Sequence, residues 1–107
     1  MIGFGQNVNI PDTNFKAYLV GEPSINTNGD TEIQLSEATA FNGAIICDSM
    51  NISDLTGIEA FTALTELYCS YNQLTSLNVT QNTALTDLNC GWNLNSLLEK
   101  IQLLLIL

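Results

Sequence analysis

Apolar residues in the second half of the chain recur at a fixed interval, with polar and small residues between them. "LTELYCSYNQLTSLNVTQNTA" (64–84) superposes on "LTDLNCGWNLNSLL" (85–98) at a period of 21. Leu64, Leu67, Cys69, Tyr71 and Asn72 thereby fall on Leu85, Leu88, Cys90, Trp92 and Asn93. One unit earlier the spacing is 22, and Ile45, Cys47, Ile52 and Leu55 fall on Leu67, Cys69, Leu74 and Leu77. Such a period marks stacked supersecondary units that bury a core only by packing on one another. Ahead of the repeats the spacing changes. "IPDTNFKAYLVG" sets Phe15, Tyr18 and Leu19 on one helical face, with Pro11 suited to the first turn and Gly21 to the stop. A second helix is expected through Phe41, capped by Ser36 in "SEATAF".

The pattern L-x-x-L-x-C-x-x-N-x-L-x-x-L, over residues 42–98, resembles the leucine-rich repeat, with Cys where Leu often stands. "NISDLTGIEAFTAL" (51–64) resembles the leading repeat of internalin-like proteins, in which Gly57 would turn the chain while Ile58, Phe61 and Leu64 continue the core. Helix, polar loop, helix and then repeats is similar to the N-terminal cap of bacterial internalin-like surface proteins, including those typical of Bacteroidetes. The resemblance implies an α/β solenoid: about three short parallel strands behind a small helical N-terminal cap, which shields the first repeat's core face from water. In each strand Leu67, Cys69 and their equivalents should point inward, and Glu66, Tyr68 and Ser70 outward. Asn72 and Asn93 are expected to turn inward and satisfy loop backbone as a ladder. Met50 occupies that position in the earliest unit, where the ladder is not expected to reach.

Cys47, Cys69 and Cys90 are odd in number and too widely spaced for a Cys-x-x-Cys zinc or redox pair. They are expected to be buried free thiols, since Cys packs as a small apolar group. The organisation read from the sequence is a remnant of a signal peptide and mature N-terminus over 1–9, a cap over 10–41, repeats over 42–98 and an aberrant apolar tail over 99–107. The tail "EKIQLLLIL" breaks the repeat pattern. A reading-frame change would account for it, because codons able to encode it contain Lys-Asn-Thr-Ala in another frame, close to "QNTA" at 81–84. On this view the chain is a fragment of a secreted or cell-surface parent. The alternative is a short protein whose apolar tail docks on its last repeat or on a second copy.

Charge narrows the partners. Eleven carboxylates against two cations give a net charge of -9, which repels phosphate backbones, so nucleic acid is not an expected partner. No apolar run is long enough to span a membrane. Histidine is absent, which removes the commonest general base near neutral pH. Glu66 and Asp87 fall on equivalent positions of neighbouring strands, but an open face gives no desolvation to raise one pKa, and no catalysis is expected from them.

Two candidate sites follow. In "INTNGDTEIQLSEA" (25–38), Asn26, Asn28, Asp30, the Glu32 carbonyl, Gln34 and Glu37 take the spacing of an EF-hand calcium loop. Two charged ligands predict a dissociation constant of roughly 0.1 to 1 mM. Thr31 stands where such loops place Gly, and positive φ there would cost roughly 1 to 2 kcal/mol. A metal-free capping loop held by Asx turns is the other reading, so the cofactor is weakly bound calcium or none. The second site is the outward strand face: Glu66, Tyr68, Ser70, Asp87 and Asn89, with Tyr71 and Trp92 stacking just beyond. It is expected to bind a protein or, through the two rings, a polysaccharide.

Overall fold

The computed structural model describes residues 6–94. The expectations for the tail over 99–107 and for residues 1–5 lie outside the described residues. Helix α1 spans Thr13–Val20 and helix α2 Leu35–Ala40. Strands β1 (Ala44–Ile46), β2 (Glu66–Tyr68) and β3 (Asp87–Asn89) follow, with a short 3-10 turn at Ile58–Ala60 between β1 and β2. The strands form one parallel sheet in the order β1-β2-β3. Ile45 pairs with Leu67 and Leu67 with Leu88, the register that the 22- and 21-residue spacings predict.

A three-residue strand gives the core one inward side chain, so each unit completes its core contribution from the return loop. Ile52, Leu55, Ile58, Phe61 and Leu64 do this after β1, and Leu74, Leu77 and Val79 after β2. Phe15, Leu19, Ile25, Ile33 and Ala38 from the N-terminal segment join the same cluster, so helices and repeats share one core. Phe41 meets Phe61 edge to face, with ring centroids 6.5 Å apart.

Local capping differs from the sequence expectation. Pro11 lies outside α1, whose N-cap is Asp12: its Oδ1 accepts the N–H groups of Asn14 and Phe15, both at 3.0 Å. The other carboxylate oxygen accepts the N–H groups of Ser53 at 2.9 Å and Asp54 at 3.3 Å, so one side chain caps the helix and ties it to the first repeat's loop. Gly21 ends α1 in a right-handed conformation that other residues also adopt. Ser36 sits inside α2. Gln34 caps that helix through a capping box with Glu37, and α2 ends at Ala40, before Phe41.

Residues 6–9 belong to the folded unit. Val8 donates to the Ile33 carbonyl at 2.8 Å, and Leu35 donates to the Gln6 carbonyl at 2.7 Å. These bonds tie residues 6–9 to the segment that leads into α2. Ile10 packs where Gly57 turns at φ 111; a Cβ on Gly57 would lie 2.8 Å from Ile10 Cγ1. At the sheet's first edge, the Tyr18 hydroxyl accepts the Ile46 N–H at 2.9 Å, satisfying a donor that no preceding strand meets.

Candidate recognition face and polar loop

Parallel register arranges the outward side chains in rows. Ala44, Glu66 and Asp87 form one row, and Ile46, Tyr68 and Asn89 the next. Ile46 is 52% exposed, and the Tyr68 hydroxyl donates to Glu66 Oε1 at 2.8 Å. That hydrogen bond, with some desolvation and the charges of Glu66 and Asp87, holds the phenol above its ordinary pKa. Ser70 departs from expectation: it is buried, donating through Oγ to Asn89 Oδ1 at 2.7 Å, while its N–H donates to Asp48 Oδ1. It orients the face without offering contact area.

Tyr71 and Trp92 extend from the turns that follow β2 and β3. Their rings stack at 10° with centroids 5.7 Å apart, and they are 57% and 75% exposed. Both residues have positive φ, 58° and 59°, as does Ser49 (57°) at the equivalent place in the first unit. The left-handed turn is thus a property of the repeat position, kept although bulky residues adopt it at a cost.

Asn72 explains how the turn is held. Its Nδ2 donates to the carbonyls of Cys47, Cys69 and Ser70, and its Oδ1 accepts from Met50 and Ile52. Asn93 repeats the arrangement with the carbonyls of Cys69, Cys90 and Gly91 and the N–H of Leu74. The ladder does reach the earliest unit, because Asn72 serves that loop from the next repeat and Met50 need only supply its backbone N–H. Cys47 and Cys69 are buried free thiols; Cys90 is free but half-buried. Burial, with Asp48 adding, pushes the Cys47 thiol up to about 12, and burial raises Cys69 and Cys90 as well.

Sequence reasoning missed three residues. Asp12 and Tyr18 join the N-terminal segment to the repeats, and no local pattern announces such long-range bonds. Asn82 is buried and donates to the carbonyls of Ile58 and Phe61, both at 2.9 Å. Its placement in "QNTAL", one residue pair before the next repeat's Leu, was the available signal.

The 25–38 loop brings its predicted ligands together, but they satisfy one another. Asn28 Nδ2 and Gln34 Nε2 donate to Asp30 Oδ2 at 3.3 and 2.9 Å, and Asp30 Oδ1 accepts the Glu32 N–H. Glu37 accepts from the N–H of Gln34, the N–H of Asn28 and the Thr27 hydroxyl. The Glu32 side chain pairs with Lys16 at 2.8 Å. The positive φ expected at Thr31 occurs instead at Gly29 (71°), so the strain foreseen at Thr31 is absent. Among the described residues no cluster of three His, Cys, Asp or Glu side chains is placed to hold a metal.

One atom departs from this self-satisfaction. Asn26 is 5% exposed; its Nδ2 donates to the carbonyls of Val20 and Asp30, which fixes the amide's orientation. Its Oδ1 is buried with no partner among the described residues.

Comparison with known proteins locates the fold. No protein-family model matches the chain. Internalin J of Listeria monocytogenes is 39% identical over 74 residues, 68% of this chain and 8% of that protein. The solved functional domain of that internalin, which includes a cysteine ladder, superposes with a TM-score of 0.66 at 35% identity. The match covers 82% of this chain and 19% of the other. A Clostridium perfringens ZmpB structure, containing CBM51-2 in complex with GlcNAc and INT domains, matches at a TM-score of 0.59 and 25% identity. There the coverage is 80% of this chain and 18% of that one. The chain therefore spans under a fifth of the length of each of these proteins. With a cysteine directly after each of three successive strands, an inward asparagine ladder and this likeness to internalin J, the chain is an internalin-like leucine-rich repeat protein.

Proposed function

We propose that this chain is a non-catalytic recognition module, part of a longer secreted or cell-surface bacterial protein, that binds a protein partner through the outward sheet face. The observation that carries this reading is the row structure of that face. Glu66 and Tyr68 of β2 and Asp87 and Asn89 of β3 are held in register on one backbone platform and bordered by the Tyr71–Trp92 stack. A parallel sheet fixes the spacing of these side chains while leaving their identity free, which suits recognition rather than bond making. The N-terminal helices serve this module as a cap, since their apolar side chains complete its core.

The test is a binding screen of the purified chain against an array of secreted and cell-surface proteins, with each hit re-measured on Tyr68→Ala, Glu66→Gln and Asn89→Ala. Loss of affinity in these variants is expected. A hit that binds all three as tightly as the parent chain removes the sheet face from the reading.

The unpartnered Oδ1 of Asn26 favours a second role, calcium binding by the capping loop. Asn26, Asn28, Asp30, the Glu32 carbonyl, Gln34 and Glu37 supply the hard oxygen donors that calcium prefers, and the ion would brace the cap rather than react. Calorimetric titration with millimolar calcium on the parent, Asp30→Ala and Glu37→Ala chains tests it. Equal heats in all three, or no heat and no thermal shift in the parent, would exclude the ion. Carbohydrate binding rests on the exposed Tyr71–Trp92 rings, and GlcNAc oligomers are the probe for it.

A further inference from the structure

The sheet face carries like charges that no cation among the described residues neutralises. Glu66 and Asp87 are direct partners in register on β2 and β3, an arrangement that costs stability because carboxylates on adjacent strands repel. Glu66 is relieved only by the neutral Tyr68 hydroxyl, and Asp48 on the same face accepts a backbone N–H of Ser70. Among the described residues the single cation, Lys16, is already paired with Glu32 in the N-terminal segment. Past the ends of the same strands stand two aromatic rings, stacked on each other so that their outer faces remain in water. A carboxylate pair without counter-charge at the start of the strands, and an open aromatic pair past their ends, match a segment carrying more than one guanidinium or ammonium group: one meets the carboxylates, and another lies against a ring face.

From this we infer that the partner docks a basic segment on the outward face, placing arginine or lysine side chains against Glu66, Asp87 and the Tyr71–Trp92 stack. A neutral sugar would leave the two charges uncompensated, and an anionic polymer would be repelled by them. The inference rests on the sheet-face reading and adds the partner's chemistry to it.

Trp92 is the only tryptophan, so its fluorescence reports on this face alone. Oligoarginine, oligolysine, oligoglutamate and GlcNAc oligomers are titrated into the parent chain and two doubly substituted chains. Glu66→Gln with Asp87→Asn removes two charges from the face. Asp54→Asn with Glu59→Gln removes two charges from a groove beside Leu77 while keeping the acceptor oxygens of both turns.

A saturable Trp92 response to oligoarginine is expected, weakened by salt, about tenfold weaker in the first variant and within about twofold of the parent in the second. Circular dichroism confirms that all three chains share one fold. Equal weakening in both variants would reduce the effect to overall charge and overturn the inference. So would a response to GlcNAc oligomers with none to oligoarginine, or no response to any probe. If the array still yields a partner that Tyr68→Ala abolishes, only the basic chemistry falls and the sheet face stands; if neither binds, both readings fall.

Discussion

The side-chain oxygen of Asn72 accepts the backbone N–H of Ile52, a residue in the preceding repeat, at 3.0 Å. The same oxygen takes the Met50 N–H at 2.9 Å, so one amide closes the loop of a unit that has no such amide of its own. Asn72→Ala would leave the N–H groups of Met50 and Ile52 and the Cys47 carbonyl without a partner, while the carbonyls of Cys69 and Ser70 keep the donors Asn93 and Ser49. Buried polar groups left unsatisfied cost about 1 to 3 kcal/mol each, and some will find water, so a loss of roughly 3 kcal/mol or more is expected in urea unfolding. Asn72→Asp should fail to rescue, because a carboxylate cannot donate to the three carbonyls that Nδ2 now serves. A cost below about 0.5 kcal/mol would show that the ladder is dispensable.

The left-handed turn at Tyr71 sets stacking against backbone strain. Tyr71→Ala loses the contact with Trp92 and keeps the cost of a side chain at positive φ; Tyr71→Gly loses the contact and removes the cost. Glycine should therefore be the less destabilising substitution, by about 1 kcal/mol, which thermal unfolding of the two variants measures. Both variants should lose the near-ultraviolet dichroism of the ring pair. Alanine proving the more stable would mean that strain at this position is not the controlling quantity.

Thiol reactivity should follow burial along the ladder. At pH 8 in native buffer, Cys90, half-buried, is expected to alkylate first, while Cys47 and Cys69 stay protected until the chain unfolds. Burial pushes Cys47 up to about 12, so little thiolate exists there even when a reagent enters. Peptide mapping after timed iodoacetamide treatment reads the order. Early labelling of Cys69 would contradict the packed core around it.

Asp12 gives the fold an acid limit. Burial raises its pKa, but the four backbone donors, from Phe15, Ser53, Asn14 and Asp54, together outweigh it and the net value lies below the ordinary carboxylate value. A depressed folded pKa means that the stabilisation is fully present above the unfolded value of about 3.9 and is lost as pH falls through the folded value. Asp12→Ala should cost about 1 to 2 kcal/mol at neutral pH through the lost cap, and less in acid once the folded carboxylate is protonated. Denaturation at several pH values checks this, and a cost independent of pH would mean that the carboxylate's charge is not what matters.

Much of this protein can be derived from periodicity. The 21- and 22-residue spacings specify strand register, because a unit that returns to the same sheet after a constant number of residues must bring the same position to the same place. For that reason Leu67 and Cys69 are buried, Asn72 serves the loop backbone, and Tyr71 and Trp92 stack as expected. The calcium-like spacing of 25–38 was equally visible, as were the absence of histidine and the excess of carboxylates.

What the repeat cannot encode is how neighbouring units satisfy one another. Asp12 binding Ser53 and Tyr18 binding Ile46 join residues 41 and 28 apart, and nothing local marks either pair. Ser70 reads as an outward position by alternation, yet a hydrogen bond to Asn89 on the next strand buries it. The donors of the 25–38 loop read as metal ligands, but in the folded chain their amides and carboxylates pair with each other and leave only Asn26 Oδ1 unmet. Sequence alone therefore determined the solenoid, its register and its charge, since these follow from spacing and composition. Tertiary structure decided which polar groups are spent inside the fold and which remain free to meet a partner, because that depends on hydrogen bonds between distant residues.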